Sequence, residues 1–256
     1  MTRMSAGLSL GIVLATASLA LAQVPPPPPG GQRGGPPPPL TNLQVMPKDT
    51  PRPQVLATMQ NIAAALGVQC NYCHVMEGRG GRNDMASDEK PAKKAARGMM
   101  ILAREINEKL PPAIGKAADQ TTRVGCATCH RGVPIPKLLP DVITDAAASG
   151  GAAAGIAKYK ELREKFYGAQ AYDFSENGLI AAANRAGAAN KPDDALAYLQ
   201  ANLEYFPKSS RTYQAMANLK NGKGDKAGAI ADLEKAVEMD PNNAQAKAQL
   251  QQLKGQ

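Results

Sequence analysis

Two pentapeptides of one spacing, CNYCH at residues 70–74 and CATCH at residues 126–130, contain every cysteine and histidine of this 256-residue chain. Three kinds of site use such residues. The paired disulfides of a thioredoxin-like enzyme need a βαβ context, and no strand-like alternation flanks either pair. A four-cysteine zinc site usually places its pairs about 15–20 residues apart. Cys73 and Cys126 are 53 residues apart, and a zinc site would leave both histidines unused.

The third kind of site is the covalent attachment of haem c, for which C-x-x-C-H is the recognised signature. The two thiols add across the two vinyl groups of haem, and the histidine that follows binds the iron from the proximal side. Two copies in one chain therefore predict two covalently bound haem c groups. The residues predicted to hold them are Cys70, Cys73 and His74 for the first, and Cys126, Cys129 and His130 for the second.

The histidine count limits the distal ligands. With both histidines proximal, the sixth ligand of each iron is methionine, a weaker donor or water, and methionine suits electron transfer because it raises the reduction potential. Two helical patterns each carry a methionine on the apolar face, Met59 in a helix that ends at Gly67 and Met99 in the next helix. We predict Met59 and Met99 as distal ligands, although such methionines are usually core residues. The alternatives are Met46, Met76, Met85 and Met100.

The N-terminal residues predict export. Residues 1–22 have an early arginine, an apolar run and an A-x-A end, which is the pattern of a signal peptide, with an uncleaved membrane anchor as the alternative. Residues 23–40 are rich in proline and glycine and are predicted to be a linker. The expected location is the periplasm or the periplasmic face of the inner membrane.

Charge is uneven along the chain. Residues 41–140 hold 14 Lys and Arg against 8 Asp and Glu, whereas residues 141–256 hold 14 of each. The basic segment is therefore the one that contains both motifs. Nucleic acid is a poor candidate for its partner, because the chain is predicted to be exported, has no tryptophan and has no basic stretch interspersed with aromatic residues. The densest basic face is predicted to steer an acidic redox partner or to be a solvated helix surface. It consists of Lys90, Lys93, Lys94 and Arg97.

The C-terminal part differs in composition. Residues 141–155 are predicted to be a small-residue linker and residues 156–256 a helical array. Several residues recur 34 positions apart, which is the tetratricopeptide (TPR) period. They are Ala195 and Ala229, Leu199 and Leu233, and Pro207 and Pro241. The array is predicted to be a protein-docking surface or a purely structural stack.

Three stretches resemble the cytochrome c subunit of photosynthetic reaction centres, over about residues 41–137. They are LQVMPKDTPRPQVLATMQNIAAALGVQCNYCHV, DMASDEKPAKKAARGMMILAREIN and VGCATCHRGVPIP. The resemblance implies haem segments of helix, turn and C-x-x-C-H, with Met59 and Met99 matching the family's iron ligands. The family's subunit carries four haems as two such pairs and an extra histidine ligand, whereas this chain has one pair and no spare histidine.

These observations predict an all-α protein, a diheme c-type cytochrome domain at residues 41–140 followed by a short TPR-like helical array. The predicted function is electron transfer in the cell envelope, resembling the subunit that re-reduces a photo-oxidised donor, without enzymatic activity. Predicted partners are redox proteins, with a membrane-bound reaction centre or respiratory complex as candidates. The alternatives are a diheme peroxidase-like enzyme with one open haem, and a TPR docking or assembly protein with ancillary haems.

Overall fold

The computed structural model describes residues 39–76 and 83–255, and the regular secondary structure of these residues is almost entirely helical. The predicted signal peptide and nearly all of the predicted linker at residues 23–40 lie outside the described residues. In chain order the helices are α1 (Arg52–Leu66), α2 (Pro91–Ala113), α3 (Cys126–His130), α4 (Leu139–Phe166), α5 (Glu176–Ala188), α6 (Pro192–Tyr205), α7 (Ser210–Gly222), α8 (Lys226–Met239) and α9 (Ala244–Gly255). The predicted all-α class is confirmed. The described part contains one very short antiparallel pair, Val75–Met76 with Asn83–Asp84.

Proline and glycine mark the ends of the two long helices of the N-terminal part, and the predicted end of α1 at Gly67 is confirmed. Helix α1 has proline in its first turn, where the missing N–H costs no hydrogen bond, and it ends at Gly67 with a left-handed backbone (φ 66°). Helix α2 begins at Pro91, and its last turn contains Pro111 and Pro112. Proline disfavours the continuation of a helix because it has no N–H to donate, and a left-handed glycine ends a helix because its backbone turns the chain away from the helix axis.

The hydrophobic core lies in the C-terminal half of the described chain. Its larger cluster joins α4, α5 and α6 with the middle of α7, and a smaller cluster joins α7, α8 and α9. The largest fully buried apolar side chains are Leu139, Ile143, Tyr159, Leu179, Leu199 and Leu233. By contrast, only four of the 25 buried hydrophobic residues in the described part of the chain lie before residue 139, so the segment with both motifs has little core of its own.

The helices after residue 175 repeat at the predicted interval. Helices α5 and α7 begin and end 34 residues apart, and so do α6 and α8. Equivalent positions have equivalent burial, since Ala195 and Ala229 are both fully buried, and so are Leu199 and Leu233. Each helix packs on the next along the chain, as expected of stacked two-helix units.

Residues 141–155 differ from the prediction of a linker, because they lie within α4. The helix is interrupted only at Gly150 and Gly151, where the backbone leaves the helical region (φ 63° at Gly151). Gly155, beyond the kink, packs directly against Ile143, before it. The chain therefore turns back sharply at the two glycines, and the small side chains that suggested a linker let the two halves of α4 approach closely.

The described helices include none that is long and apolar enough to cross a membrane.

Candidate functional site

The first motif forms a tight turn directly after α1. Residues Cys70–Tyr72 form a single 3₁₀ turn, and the backbone N–H groups of Cys73 and His74 both donate to Cys70 O, at 3.3 and 3.0 Å. Such a turn brings both thiols and the histidine together within about one helical turn of backbone. Cys70 is exposed and Cys73 is partly exposed, and both are free thiols. Burial raises the pKa of the Cys73 thiol, and the charge of Lys90 partly opposes this.

His74 is oriented by a backbone carbonyl. Its Nδ1 lies 3.0 Å from Met85 O. A carbonyl can only accept, so Nδ1 carries the proton and Nε2 is the unprotonated nitrogen that can bind a metal. Burial lowers the pKa of His74 from its usual value. The hydrogen bond to Met85 opposes that shift, and the charges of Lys93 and Arg97 reinforce it.

The second motif has the same arrangement in a more buried place. Cys126–His130 form α3, whose start is closed by the Thr128 hydroxyl accepting from Gly125 N at 3.0 Å. His130 is 9% exposed, and its Nδ1 lies 3.0 Å from Val133 O. This histidine too presents Nε2 as its unprotonated nitrogen. The two carbonyl partners, on Met85 and Val133, are contacts that the sequence analysis missed.

The two motifs are joined through a backbone contact. Gly132 N, just after the second motif, donates to Ala65 O in the last turn of α1 at 2.8 Å. A side chain on Gly67 would bring its Cβ within 2.2 Å of Gly132 O. The close approach of these two glycines determines the distance between α1 and the second motif. The first motif begins three residues after Gly67, at the end of the same helix.

A cleft of about 480 Å³ opens beside Cys126. Its volume is that of a site for a medium-sized ligand. Helices α1 and α2 and the start of α3 supply its walls. The lining residues are Thr58, Asn61, Ile62, Ala65, Met100, Ala103, Arg104, Asn107, Arg123, Gly125, Cys126 and Ala127.

The predicted methionine ligands lie outside this cleft. Met99 is 46% exposed and does not line it, whereas its neighbour Met100 does. Met59 is partly buried and follows the cleft-lining Thr58, so it projects about 100° further round α1. The structure thus brings Met100 towards Cys126 and leaves Met59 and Met99 facing other sides of their helices.

The segment with the motifs has the surface expected around a large apolar cofactor. Among the residues that the structure describes, ten of the eleven exposed large hydrophobic side chains lie between residues 56 and 138, for example Met85, Leu102 and Ile135. Contiguous exposed apolar surface is typical of binding sites. Together with four free thiols and two histidines that present Nε2, this surface fits covalent haem c.

The loop that carries Met85 is held by Asp88. The Asp88 carboxylate accepts from Asn42 and from Arg97, each at 2.9 Å, and lies 3.4 Å from Lys93 Nζ. The hydrogen bond from Arg97 has the largest effect on the pKa of Asp88, which falls to about 2 although burial opposes the shift. Asp88 therefore ties the chain at Asn42 to the first turns of α2 and to the His74 loop.

This arrangement predicts an acid-dependent loss of stability. The folded pKa of Asp88 lies below the value of about 3.9 for an unfolded Asp, so its stabilising effect is complete above that value. The effect is lost as the pH falls towards about 2. We expect Asp88→Asn to melt at a lower temperature than the wild type at neutral pH and the difference to shrink across this window. Thermal unfolding followed by circular dichroism measures it, with the exposed Asp145→Asn as control. A difference that is as large at about pH 2 as at neutral pH contradicts the prediction.

An all-α chain with two C-x-x-C-H sites, each histidine oriented through Nδ1, has the features of a c-type cytochrome. It belongs to the photosynthetic reaction centre cytochrome c subunit family, whose model matches residues 42–173. The match extends beyond the second motif and through α4.

Three relatives align with parts of the chain. Cytochrome c-554 of Chloroflexus aurantiacus is 41% identical over 75 residues, 29% of this chain and 16% of that protein. The photosynthetic reaction center cytochrome c subunit of Thermochromatium tepidum is 36% identical over 98 residues, covering 38% and 21%. The protein of the same name in Rubrivivax gelatinosus is 32% identical over 84 residues, covering 33% and 19%. The aligned region spans about a fifth of these relatives' length.

Proposed function

We propose that this chain is a diheme c-type cytochrome that transfers electrons between redox proteins of the cell envelope. The observation that carries the proposal is the matched pair of C-x-x-C-H sites. In both, the histidine Nδ1 lies 3.0 Å from a backbone carbonyl. A histidine that binds a metal through one ring nitrogen usually donates a hydrogen bond from its second ring nitrogen to a carbonyl, a carboxylate or water. The membership of the family and the names of the relatives support the same function.

In this proposal the four thiols anchor two haems and the two histidines hold the irons from the proximal side. Cys70 and Cys73 anchor the first, and Cys126 and Cys129 the second. Each bound haem supplies a one-electron couple. The chain's own contribution is to hold the ligands: Met85 O and Val133 O keep each imidazole in one tautomer, and the apolar side chains of α1 and α2 exclude water.

For the distal ligands we propose Met59 at the first haem and Met99 at the second, as the resemblance implies. Met100 is the second candidate at the second haem, because it lines the cleft beside Cys126. Met99 and Met100 project about 100° apart on α2, so only one of them faces a given haem plane.

Paired thiol variants test the haem sites separately. We expect the wild type to carry two haems per chain, and Cys70→Ser with Cys73→Ser to remove one. Cys126→Ser with Cys129→Ser should remove the other, because a serine hydroxyl does not form the thioether. The measurement is the absorbance of the pyridine haemochrome per mole of protein, after denaturation that washes out unattached haem. Covalent haem content unchanged in both double variants contradicts the proposal.

The predicted basic face bears on the choice of partner. Lys90 Nζ donates to Asn71 O, Lys93 Nζ to three loop carbonyls, and Arg97 pairs with Asp88. Three of the four basic side chains thus make contacts within the protein, which counts against steering as the main role of that face. We propose a membrane-bound reaction centre or a respiratory complex as the redox partner, by analogy with the relatives named as reaction center subunits.

For the helices after residue 175 we propose two TPR-like repeats, supported by the 34-residue offset of α5 and α7 and of α6 and α8. A protein-docking role follows from this proposal. We further propose that the chain is exported and lies in the periplasm or on the periplasmic face of the inner membrane, and that it carries electrons rather than catalysing a reaction.

A further inference from the structure

One carbonyl oxygen beside the first motif has two donors. Met85 O lies 3.0 Å from His74 Nδ1 and accepts from Lys93 Nζ at 2.9 Å. The same ammonium donates to Ala86 O and Ser87 O, each at 2.9 Å, and the Lys93 side chain is 11% exposed. Three successive carbonyls therefore hold this charge in place, within about 6 Å of the imidazole nitrogen.

We propose that Lys93 is a positioning residue that raises the reduction potential of the iron held by His74. The inference rests on the proposed attachment of haem at Cys70 and Cys73. It concerns a single one-electron couple, in which an electron arrives from an external redox protein and leaves to another, with no bond made or broken.

Lys93 raises the reduction potential of this iron through two physical effects. A histidine that donates from Nδ1 to a carbonyl becomes a more basic ligand and favours the ferric iron. A cation on the same carbonyl draws electron density away from it, weakens that hydrogen bond and so lowers the basicity of His74. The positive charge itself also disfavours the oxidised site, which carries one more positive charge than the reduced site.

The charges around this loop are of both signs, since the Asp84 carboxylate accepts from Ala86 N at 3.0 Å and from Ser87 N at 2.9 Å. The Asp88 carboxylate faces Lys93 at 3.4 Å and Arg97 at 2.9 Å, so one anion is shared between two cations. Lys90 adds a third cation at Asn71 O. Removing Asp88 should therefore move the potential in the opposite direction to removing Lys93.

The second motif provides an internal comparison. Its carbonyl, Val133 O, holds His130 at the same 3.0 Å. The two basic residues that follow His130 in the sequence have other partners. Arg131 donates to Gln170 O at 3.5 Å, and Lys137 pairs with Asp145 at 2.8 Å. The effect of Lys93 should therefore be confined to one of the two haems.

A redox titration of the full-length, haem-loaded protein tests the inference. In Lys93→Gln, which keeps an amide donor but removes the charge, we expect one midpoint potential to fall by about 59 mV, the one-electron equivalent of a tenfold change in the ferric-to-ferrous ratio. Lys93→Arg should restore most of the wild-type value. The matched control is Lys94→Gln, which removes the same charge from the exposed next residue and should move neither potential comparably. The variant lacking Cys126 and Cys129 identifies the wave that belongs to the first site.

Asp88→Asn is the second variant, and it should raise the same potential that Lys93→Gln lowers. If Lys93→Gln does not load haem, a rise in Asp88→Asn supports the inference and an unchanged potential overturns it. Equal shifts in Lys93→Gln and Lys94→Gln also overturn it, while leaving the haem proposal intact. If the wild type carries no covalent haem at Cys70 and Cys73, the proposed function itself fails at that site.

Discussion

Replacing Gly67 with alanine is expected to destabilise the fold by about 3 kcal/mol and to reduce haem occupancy at the second motif. Two costs combine. The left-handed backbone (φ 66°) disfavours a residue with a Cβ by about 1–2 kcal/mol, and forcing the backbones apart adds about 1–3 kcal/mol. The new Cβ would meet Gly132 O at 2.2 Å. The displaced segment follows His130 directly, so the second motif should move away from α1.

Gly115→Ala is the matched control for the clash. Gly115 has almost the same backbone angle (φ 68°), and an added Cβ there would meet nothing within 4 Å. Its expected cost is therefore the conformational term alone, about 1–2 kcal/mol. Denaturant unfolding and haem content of both variants measure the difference. If the two variants are equally stable and equally loaded, the contact between Gly67 and Gly132 has no role in holding the motifs.

Replacing Gly155 with alanine is expected to destabilise the helical part by about 2–3 kcal/mol, in the range of overpacked cores. A Cβ at this position would lie 2.3 Å from Tyr198 Oη and 3.1 Å from both Ile143 Cγ2 and Ile143 O. Tyr198 is 3% exposed and Ile143 is fully buried, so neither can move aside into solvent. The sharp turn of α4 should open as a result.

Two further variants separate this clash from the general effect of alanine. Gly187→Ala, within α5, would meet only Leu219 Cδ2 at an ordinary 3.6 Å and should be neutral or slightly stabilising. Tyr198→Phe removes the nearest atom, so Gly155→Ala should cost less in that background, as a double-mutant cycle would measure. A cost that is the same in both backgrounds would assign the strain to Ile143 alone.

Helical periodicity and the 34-residue repeat are local patterns, and the sequence predicted them well. The left-handed end of α1 at Gly67 and the matched bounds of α5 and α7 follow from residues that are close in the chain. The same local reasoning was insufficient at residues 141–155. Alanine and glycine suggested a linker, but their small size serves close packing between Ile143 and Gly155.

The motif residues were also evident from spacing, whereas their partners were not. The contacts of His74 with Met85 O and of Gly67 with Gly132 join parts of the chain that only the fold brings together. Carbonyl groups are common to every residue, so no pattern of side chains reveals which of them a histidine will use. The roles of Met99 and Met100 were equally hard to separate, because a turn of about 100° decides which one faces the cleft.

The most direct test of a diheme carrier is the optical and electron paramagnetic resonance spectrum of the oxidised, haem-loaded protein. It should be recorded beside Met59→Ala, Met99→Ala and Met100→Ala. The account predicts that both ferric haems are low-spin and show the sulfur-to-iron charge-transfer band. Met59→Ala should remove half of that band, and either Met99→Ala or Met100→Ala the other half. A high-spin haem in the wild type would contradict the account, because an open iron is what a peroxidase-like enzyme requires.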